Sequence, residues 1–267
     1  MLRPRLLAAA TALALPAVLA PTASAERFAA VDAQNRLYTF TDAKPAAWTR
    51  VALKGLASGE RIVGLDVRPA NRQLIALTNR SRLYSVSRSK RTVTAIGSSA
   101  FMPALSGSSF GFDFNPTVDR IRLVSETGQN LRLNPATGGA AATDAALVYK
   151  AGDAAGAAAP AVLGSAYTNS VAGATMTTLY GIDTRRDTLV LQAPPNDGVQ
   201  QPKGEIAASL PAGVAFDILS DGAGGNAAWL LAGGALHKVD LASGKAMPGM
   251  MVMGLPQAEV IDIAAMK

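Results

Sequence analysis

The 267-residue sequence contains no cysteine, which excludes a disulfide framework, a thiol nucleophile and sulfur-rich metal centres together. It has one histidine, His237, so a zinc or copper centre would lack its commonest nitrogen ligands. Aromatic residues make up only 5% and are scattered, which argues against a stacking platform for sugars or single-stranded nucleic acid. Charged residues are also sparse, at 16%. Lys and Arg exceed Asp and Glu by 25 to 19, but they do not cluster, so no nucleic-acid partner is expected. After the first 25 residues no apolar run reaches membrane-spanning length, and no helical periodicity stands out. No glycine-rich phosphate loop precedes a helix, so nucleotide binding has no support.

The first 25 residues read as a leader. Arg3 and Arg5 are followed by an apolar run from Leu6 to Ala20, and Ala23-Ser24-Ala25 places small residues at −3 and −1 of a cleavage site. The run is too short and too interrupted for a comfortable membrane span. No cysteine follows the cleavage site to carry a lipid, and Pro4 separates the two arginines, so the general secretory route fits. The expected organisation is a signal peptide over 1–25 and one domain over 26–267, periplasmic or secreted, with a mature charge of +4. A mature chain of that length is ample for one core.

A repeat runs through the mature chain. Its leading strand is apolar and usually carries one aspartate: Gly64-Leu65-Asp66-Val67, Gly111-Phe112-Asp113-Phe114, Ala215-Phe216-Asp217-Ile218 and Val260-Ile261-Asp262-Ile263. Gly164-Ser165-Ala166-Tyr167 belongs to the same series, with alanine in place of aspartate. The steps are 47, 53, 51 and 45 residues. Each unit holds further short alternating segments, such as Arg82-Leu83-Tyr84-Ser85-Val86 and Asn130-Leu131-Arg132-Leu133, separated by turn signals such as Asn134-Pro135-Ala136-Thr137-Gly138. A period near 50 with four short strands is the signature of propeller blades.

The ends complete each other. The N-terminal part supplies Phe28–Val31, Arg36–Phe40 and a strand near Trp48–Leu53 without a leading strand, and the C-terminus supplies a leading strand with nothing after it. Joined, they make one unit and remove two free sheet edges. The expectation is an all-β propeller of five four-stranded blades, one closed by the N- and C-terminal strands. A two-sheet sandwich and a six-bladed ring are the alternatives. The stretch Ala151 to Pro160 reads as a surface loop between the third and fourth units.

The third unit reads Phe110-Gly111-Phe112-Asp113-Phe114-Asn115-Pro116, Asp119-Arg120-Ile121-Arg122 and Thr127 to Pro135, and the fourth contains Ala166-Tyr167-Thr168-Asn169 and Leu179-Tyr180-Gly181-Ile182-Asp183. This resembles the bacterial exported family known as domain of unknown function 4394. The likeness covers nearly all of the mature chain, is most specific from Phe110 to Pro135, and is weakest in the fifth unit and the run Met247 to Met253. It implies a propeller-like fold and an exported location, and brings no activity with it. It also marks Asn115, Asp119, Arg120, Arg122, Asn130, Arg132, Asn134, Tyr167 and Asn169 as positions matching the family's motif, hence candidates for binding a ligand.

Two constellations could carry chemistry. If the leading strands are innermost, Asp66, Asp113, Asp217 and Asp262 ring the axis. Crowded carboxylates raise one another's pKa, and a hard cation such as Ca²⁺ would relieve them. The competing reading is that each aspartate accepts backbone hydrogen bonds from a neighbouring strand and holds the blades in register. Arg120 and Arg122 share a strand face, with Arg132 on the next strand. Three guanidiniums there could grip a carboxylate, sulfate or phosphate; otherwise they form a solvated face with Asp119 as partner. Gly107-Ser108-Ser109-Phe110-Gly111 fits a nucleophile pattern and is followed by Asp217 and His237, but the pattern needs a strand–turn–helix context that an all-β unit does not offer.

The function these features suggest is a non-catalytic binding or interaction module, monomeric, whose partner is a small molecule or an envelope protein. One alternative is a metal-assisted hydrolase or lyase with an aspartate-lined central channel and Ca²⁺ as cofactor. The other is a structural cell-surface repeat protein.

Overall fold

A computed structural model describes residues 25–153, 159–206, 209–211, 213–252, 255 and 260–266. The proposed leader, Ala25 apart, lies outside the described residues, and so do part of the loop after Ala151 and Met253. Blade 1 contains β1 (Arg27–Asp32), β2 (Arg36–Thr41) and β3 (Lys44–Ala52). Blade 2 contains β4 (Ile62–Val67), β5 (Leu74–Thr78), β6 (Arg82–Ser87) and β7 (Thr92–Ile96). Blade 3 is built from β8 (Phe110–Asn115), β9 (Arg120–Ser125), β10 (Asn130–Leu133) and β11 (Ala140–Thr143). A two-residue strand, β12 (Val148–Tyr149), then crosses to the next sheet. Blade 4 follows with β13 (Val162–Tyr167), β14 (Leu179–Asp183), β15 (Thr188–Gln192) and β16 (Val199–Glu205). Blade 5 has β17 (Val214–Ser220), β18 (Asn226–Ala232), β19 (Ala235–Val239) and β20 (Met250–Met251).

The last strand, β21 (Val260–Met266), pairs antiparallel with β1, with Ala29 opposite Ala264, and completes blade 1 in the order β21-β1-β2-β3. The inner strands β4, β8, β13, β17 and β21 touch in a closed cycle. The five-bladed ring expected from the repeat is therefore the observed architecture, and neither the sandwich nor the six-bladed ring is. Blade 4 differs from the expected four strands, because β12 pairs in parallel with β16 and adds a fifth.

The sheets form because side chains alternate and both faces of each inner and second strand are buried, as in β5 and β13, where every residue is buried. Apolar clusters fill the gaps between neighbouring blades. Ile75, Leu77, Phe112 and Leu123 join blades 2 and 3, and Phe28, Tyr38, Trp229 and Leu236 join blades 5 and 1. Close approach at the axis requires glycine. A Cβ on Gly64, Gly111 or Gly164 would fall 2.8, 2.6 and 2.6 Å from the Cβ of Phe112, Ser165 and Phe216 on the following blade. No helix among the described residues is long and apolar enough to cross a membrane.

Candidate functional site

Inner strands converge, so any residue repeated at one level of them meets its equivalents at the axis. Asp66, Asp113 and Asp217 do so: all three are buried, and one carboxylate oxygen from each lies within 4.8 Å of the others. Asp66 accepts the N–H of Phe114 at 2.8 Å, Asp113 that of Tyr167 at 2.9 Å, and Asp217 that of Ala265 at 2.5 Å. In each case the donor follows the ring position of the next blade. By that register the ring position of blade 1 is Ala264. Asp262 sits two residues earlier on the same face, where it accepts the N–H of Leu65 at 2.9 Å.

The ring therefore reads Asp66, Asp113, Ala166, Asp217, Ala264. Two blades offer alanine, so the N–H groups that follow them lose a cross-blade acceptor. Those groups are Ile218 and Val67, and each is taken by its own blade's aspartate, at 2.6 Å by Asp217 and 2.5 Å by Asp66. Three carboxyl groups thus satisfy five buried N–H groups around the axis, which a packed interior requires.

Crowding has an electrostatic consequence. Burial, reinforced by the charge of Asp217, pushes Asp66 well above the usual carboxylate range. Burial and the charges of Asp66 and Asp217 do the same to Asp113. Burial raises Asp217 to about 6, held down by the N–H groups of Ala265 and Ile218 and a hydrogen bond from Asp113. Burial likewise raises Asp262 well above its usual range. A cavity of about 290 Å³ opens onto Asp66 and Asp217, walled by Pro69 and Arg72 after β4 and by Ser170 and Val171 after β13.

The motif residues of the third unit divide into a network and a rim. Arg122, 2% exposed, lies between blades 3 and 4. It donates to Asn130 Oδ1 at 2.7 Å, Asp144 Oδ2 at 2.6 Å, Asn196 Oδ1 at 2.8 Å and the Tyr167 hydroxyl at 3.4 Å. Arg132 grips both oxygens of Asp144 at 2.9 Å. Asn130 also donates to the carbonyls of Ala145 and Pro195. Four of the marked residues thus belong to one network: Arg122 and Arg132 share Asp144, an anion of the chain itself, and Asn130 and Tyr167 accept from Arg122.

The other marked residues lie elsewhere. Asp119 pairs with Arg68 of blade 2, whose guanidinium holds its carboxyl below the usual range. Arg120 donates to the carbonyls of Asp119 and Val118. Asn115 and Asn134 cap local turns, accepting from Thr117 N and Ala136 N. Asn169 exchanges hydrogen bonds with Asn226 of blade 5.

Ser108 precedes an inner strand and binds Glu126 through its N–H and hydroxyl. Asp217 is at the axis, and His237 Nδ1 faces the carbonyl of Met247 at 3.0 Å on the third strand of blade 5. The three are not assembled into a triad. The residues that sequence reading overlooked are Asp144 and Asn196. Both lie in connections between strands, and only the folding of 144–149 against 193–198 brings them to Arg122.

Solved structures similar to this chain include the following two. A protein of unknown function from Bacteroides caccae is 10% identical with a TM-score of 0.44, over 85% of this chain and 73% of that one. A structure described as YCF48 bound to D1 peptide is 12% identical with a TM-score of 0.40, over 83% of this chain and 64% of that one. No curated protein matches. The family model described as domain of unknown function (DUF4394) matches residues 36–264, and the chain belongs to that family.

Proposed function

We propose that this chain is an exported, monomeric, non-catalytic binding module that takes a small molecule at the mouth of its axis. The observation that carries this reading is the cavity of about 290 Å³ over Asp66 and Asp217, with Arg72 and Ser170 on its walls. A concave site with a few convergent polar groups and displaced carboxyl pKa values is the usual form of a ligand site. The non-catalytic reading rests on the same carboxylates. Each is bonded to backbone N–H groups that join the blades, and a general base that moved would release them. Native mass spectrometry of protein purified from its producing cell tests the reading. A retained small molecule is expected, lost on Ser170→Trp, which fills the mouth. A wild-type protein that carries no added mass, or the same added mass retained by the Ser170→Trp variant, would overturn it.

Export is supported by the leader pattern and by the residue that cleavage would expose. The backbone N of Glu26 donates to Asp42 Oδ1 at 2.8 Å, and its side chain accepts from Trp229 Nε1. After cleavage at Ala25 this nitrogen becomes an ammonium facing a carboxylate, a stronger pair than the amide. Intact-mass measurement on protein from the periplasm or medium should give a chain starting at Glu26. A full-length cytoplasmic product would defeat the export reading.

A second reading, a metal-assisted hydrolase or lyase, is favoured by the 4.8 Å grouping of the three carboxylates. Oxygen donors of this kind suit Ca²⁺, which would supply charge neutralisation and polarise a bound substrate. The chain's part would be to hold the ion through Asp66, Asp113 and Asp217. Elemental analysis separates the readings: stoichiometric Ca²⁺, lost on Asp113→Ala, favours this one, and a metal-free protein indifferent to chelator favours the first.

A further inference from the structure

Four of the chain's eight methionines stand within seven residues: Met247, Met250, Met251 and Met253. Their run reaches the outer strand of blade 5, β20, where Met247 is 52% and Met251 49% exposed. The chain's only histidine, His237, is on the neighbouring strand β19.

Strand pairing brings these groups together. Leu236 lies opposite Met250 and Ala235 opposite Met251, so one step along the ladder His237 meets Gly249. A Cβ on Gly249 would fall 2.6 Å from His237 Nε2, so the imidazole occupies the space that a side chain there would fill. Met251, opposite Ala235, shares the face of His237 and stands about 7 Å along the strand from Gly249, within reach of a long unbranched side chain. Met247 holds the ring from the other direction. Its carbonyl lies 3.0 Å from His237 Nδ1, and both residues line one cavity of about 640 Å³. A carbonyl only accepts, so Nδ1 carries the proton and Nε2 of the neutral ring keeps its lone pair. Among the described residues nothing bonds to Nε2. A backbone carbonyl on one ring nitrogen, with the other left free, is the arrangement that orients a metal-ligating histidine. No charged residue lines the cavity.

We propose that His237 Nε2 and the thioether sulfurs of Met247 and Met251 bind a soft monovalent cation, Cu(I). Thioether sulfur is polarisable and selects Cu(I) over hard ions, and the imidazole adds one nitrogen. One histidine is too few for a nitrogen-rich Zn²⁺ centre, but this donor set needs no second one. The site lies on the outer edge of blade 5, apart from the axial carboxylates, whose oxygen donors suit a hard ion.

The test is titration of the protein with Ag⁺, a redox-inert analogue of Cu(I), in chloride-free buffer, followed by NMR of the methionine methyls and the single imidazole. Competition with a chromogenic Cu(I) chelator under reducing conditions gives the affinity for Cu(I) itself. Saturation at a single equivalent is expected, with the His237 ring and two methionine methyls shifted and a Kd of about 1 μM or tighter. Met247→Leu with Met251→Leu, swaps that keep the volume, should weaken binding by about tenfold or more. His237→Gln should weaken it to a similar degree. A control at two other exposed methionines, Met102→Leu with Met176→Leu, should leave it within about twofold of wild type. Ser170→Trp should also leave it unchanged, which separates this site from the axial mouth. The proposal fails if neither ion saturates, or if the imidazole resonances stay in place. It also fails if the Met247/Met251 variant binds like wild type, if the control loses binding equally, or if Ser170→Trp abolishes it.

Discussion

Between blades 2 and 3 the packing is apolar, with Ile75, Leu77, Phe110, Phe112, Leu123 and Leu131 in one cluster. Between blades 3 and 4 the corresponding cluster shrinks to Val124, Leu147, Val162 and Val190, and the Arg122 network fills the rest. The first seam is held by burial, which is non-directional and tolerant of repacking. The second is held by a buried charge whose partners must all be present. Structurally equivalent seams of one ring thus respond differently to damage: loss of a methylene is graded, and loss of one charge strands several polar groups at once.

The largest effect should come from Arg122→Met, which removes the donor shared by Asn130, Asn196 and Asp144 and leaves Asp144 to Arg132 alone. We expect a loss of about 3–5 kcal/mol in urea unfolding, and partial recovery when Asp144→Leu is added. A loss under about 1 kcal/mol would show that the network contributes little to the seam. At the apolar seam Leu123→Ala should cost about 2–5 kcal/mol, with no comparable rescue by a second polar deletion.

Next comes Asp113→Ala, which leaves the Tyr167 N–H without its acceptor. A loss of about 1–3 kcal/mol is expected, offset in part by relief of repulsion with Asp66 and Asp217. Asp113→Asn keeps an acceptor and should cost less. Equal melting curves for the two variants would show that the bond from the Tyr167 N–H to residue 113 does not hold blade 4 to blade 3.

A smaller effect concerns pH. Asp217 is raised from 3.8 to about 6, so between those values the folded protein holds a proton that the unfolded chain has released. Its contribution is complete below the unfolded pKa and is lost as pH rises through about 6. Melting temperature should therefore fall from pH 4 to pH 6, and Asp217→Asn should flatten that slope. A melting temperature that climbs over the same interval would contradict the electrostatics of the ring.

The smallest expected change is at Ala166, one of the two alanines of the ring. Ala166→Asn adds an uncharged acceptor beside Ile218 and should shift stability by under about 1 kcal/mol. Ala166→Asp adds a fourth carboxyl at that level and should be harmful at pH 7 but much less so at pH 4. The same response at both pH values would mean that size, not charge, restricts the position.

The aspartate ring was legible in the sequence because its members recur on the same short strand of a repeat. Its register was not fully legible. Asp262 occupies the aspartate position of the motif, yet the stagger of β21 places Ala264 level with Asp66, one rung along. The polar cluster of blade 3 was legible as a group, from Arg122, Asn130 and Arg132 on neighbouring strands. Its meaning was not, since Asp144 and Asn196 come from connections with no periodicity to place them.

What the residues alone determined is the number of blades, their strand alternation and the closure of the first by the last. These follow from a fifty-residue period, a period-two alternation of residue type and complementary fragments at the two ends. Only the tertiary structure decided which carboxylates meet at one level and that Arg122 and Arg132 are neutralised by Asp144 within the chain. Those outcomes depend on how far each blade slides along its neighbour. The stagger is set by packing between sheets, through glycine contacts such as Gly64 on Phe112, not by any segment read by itself.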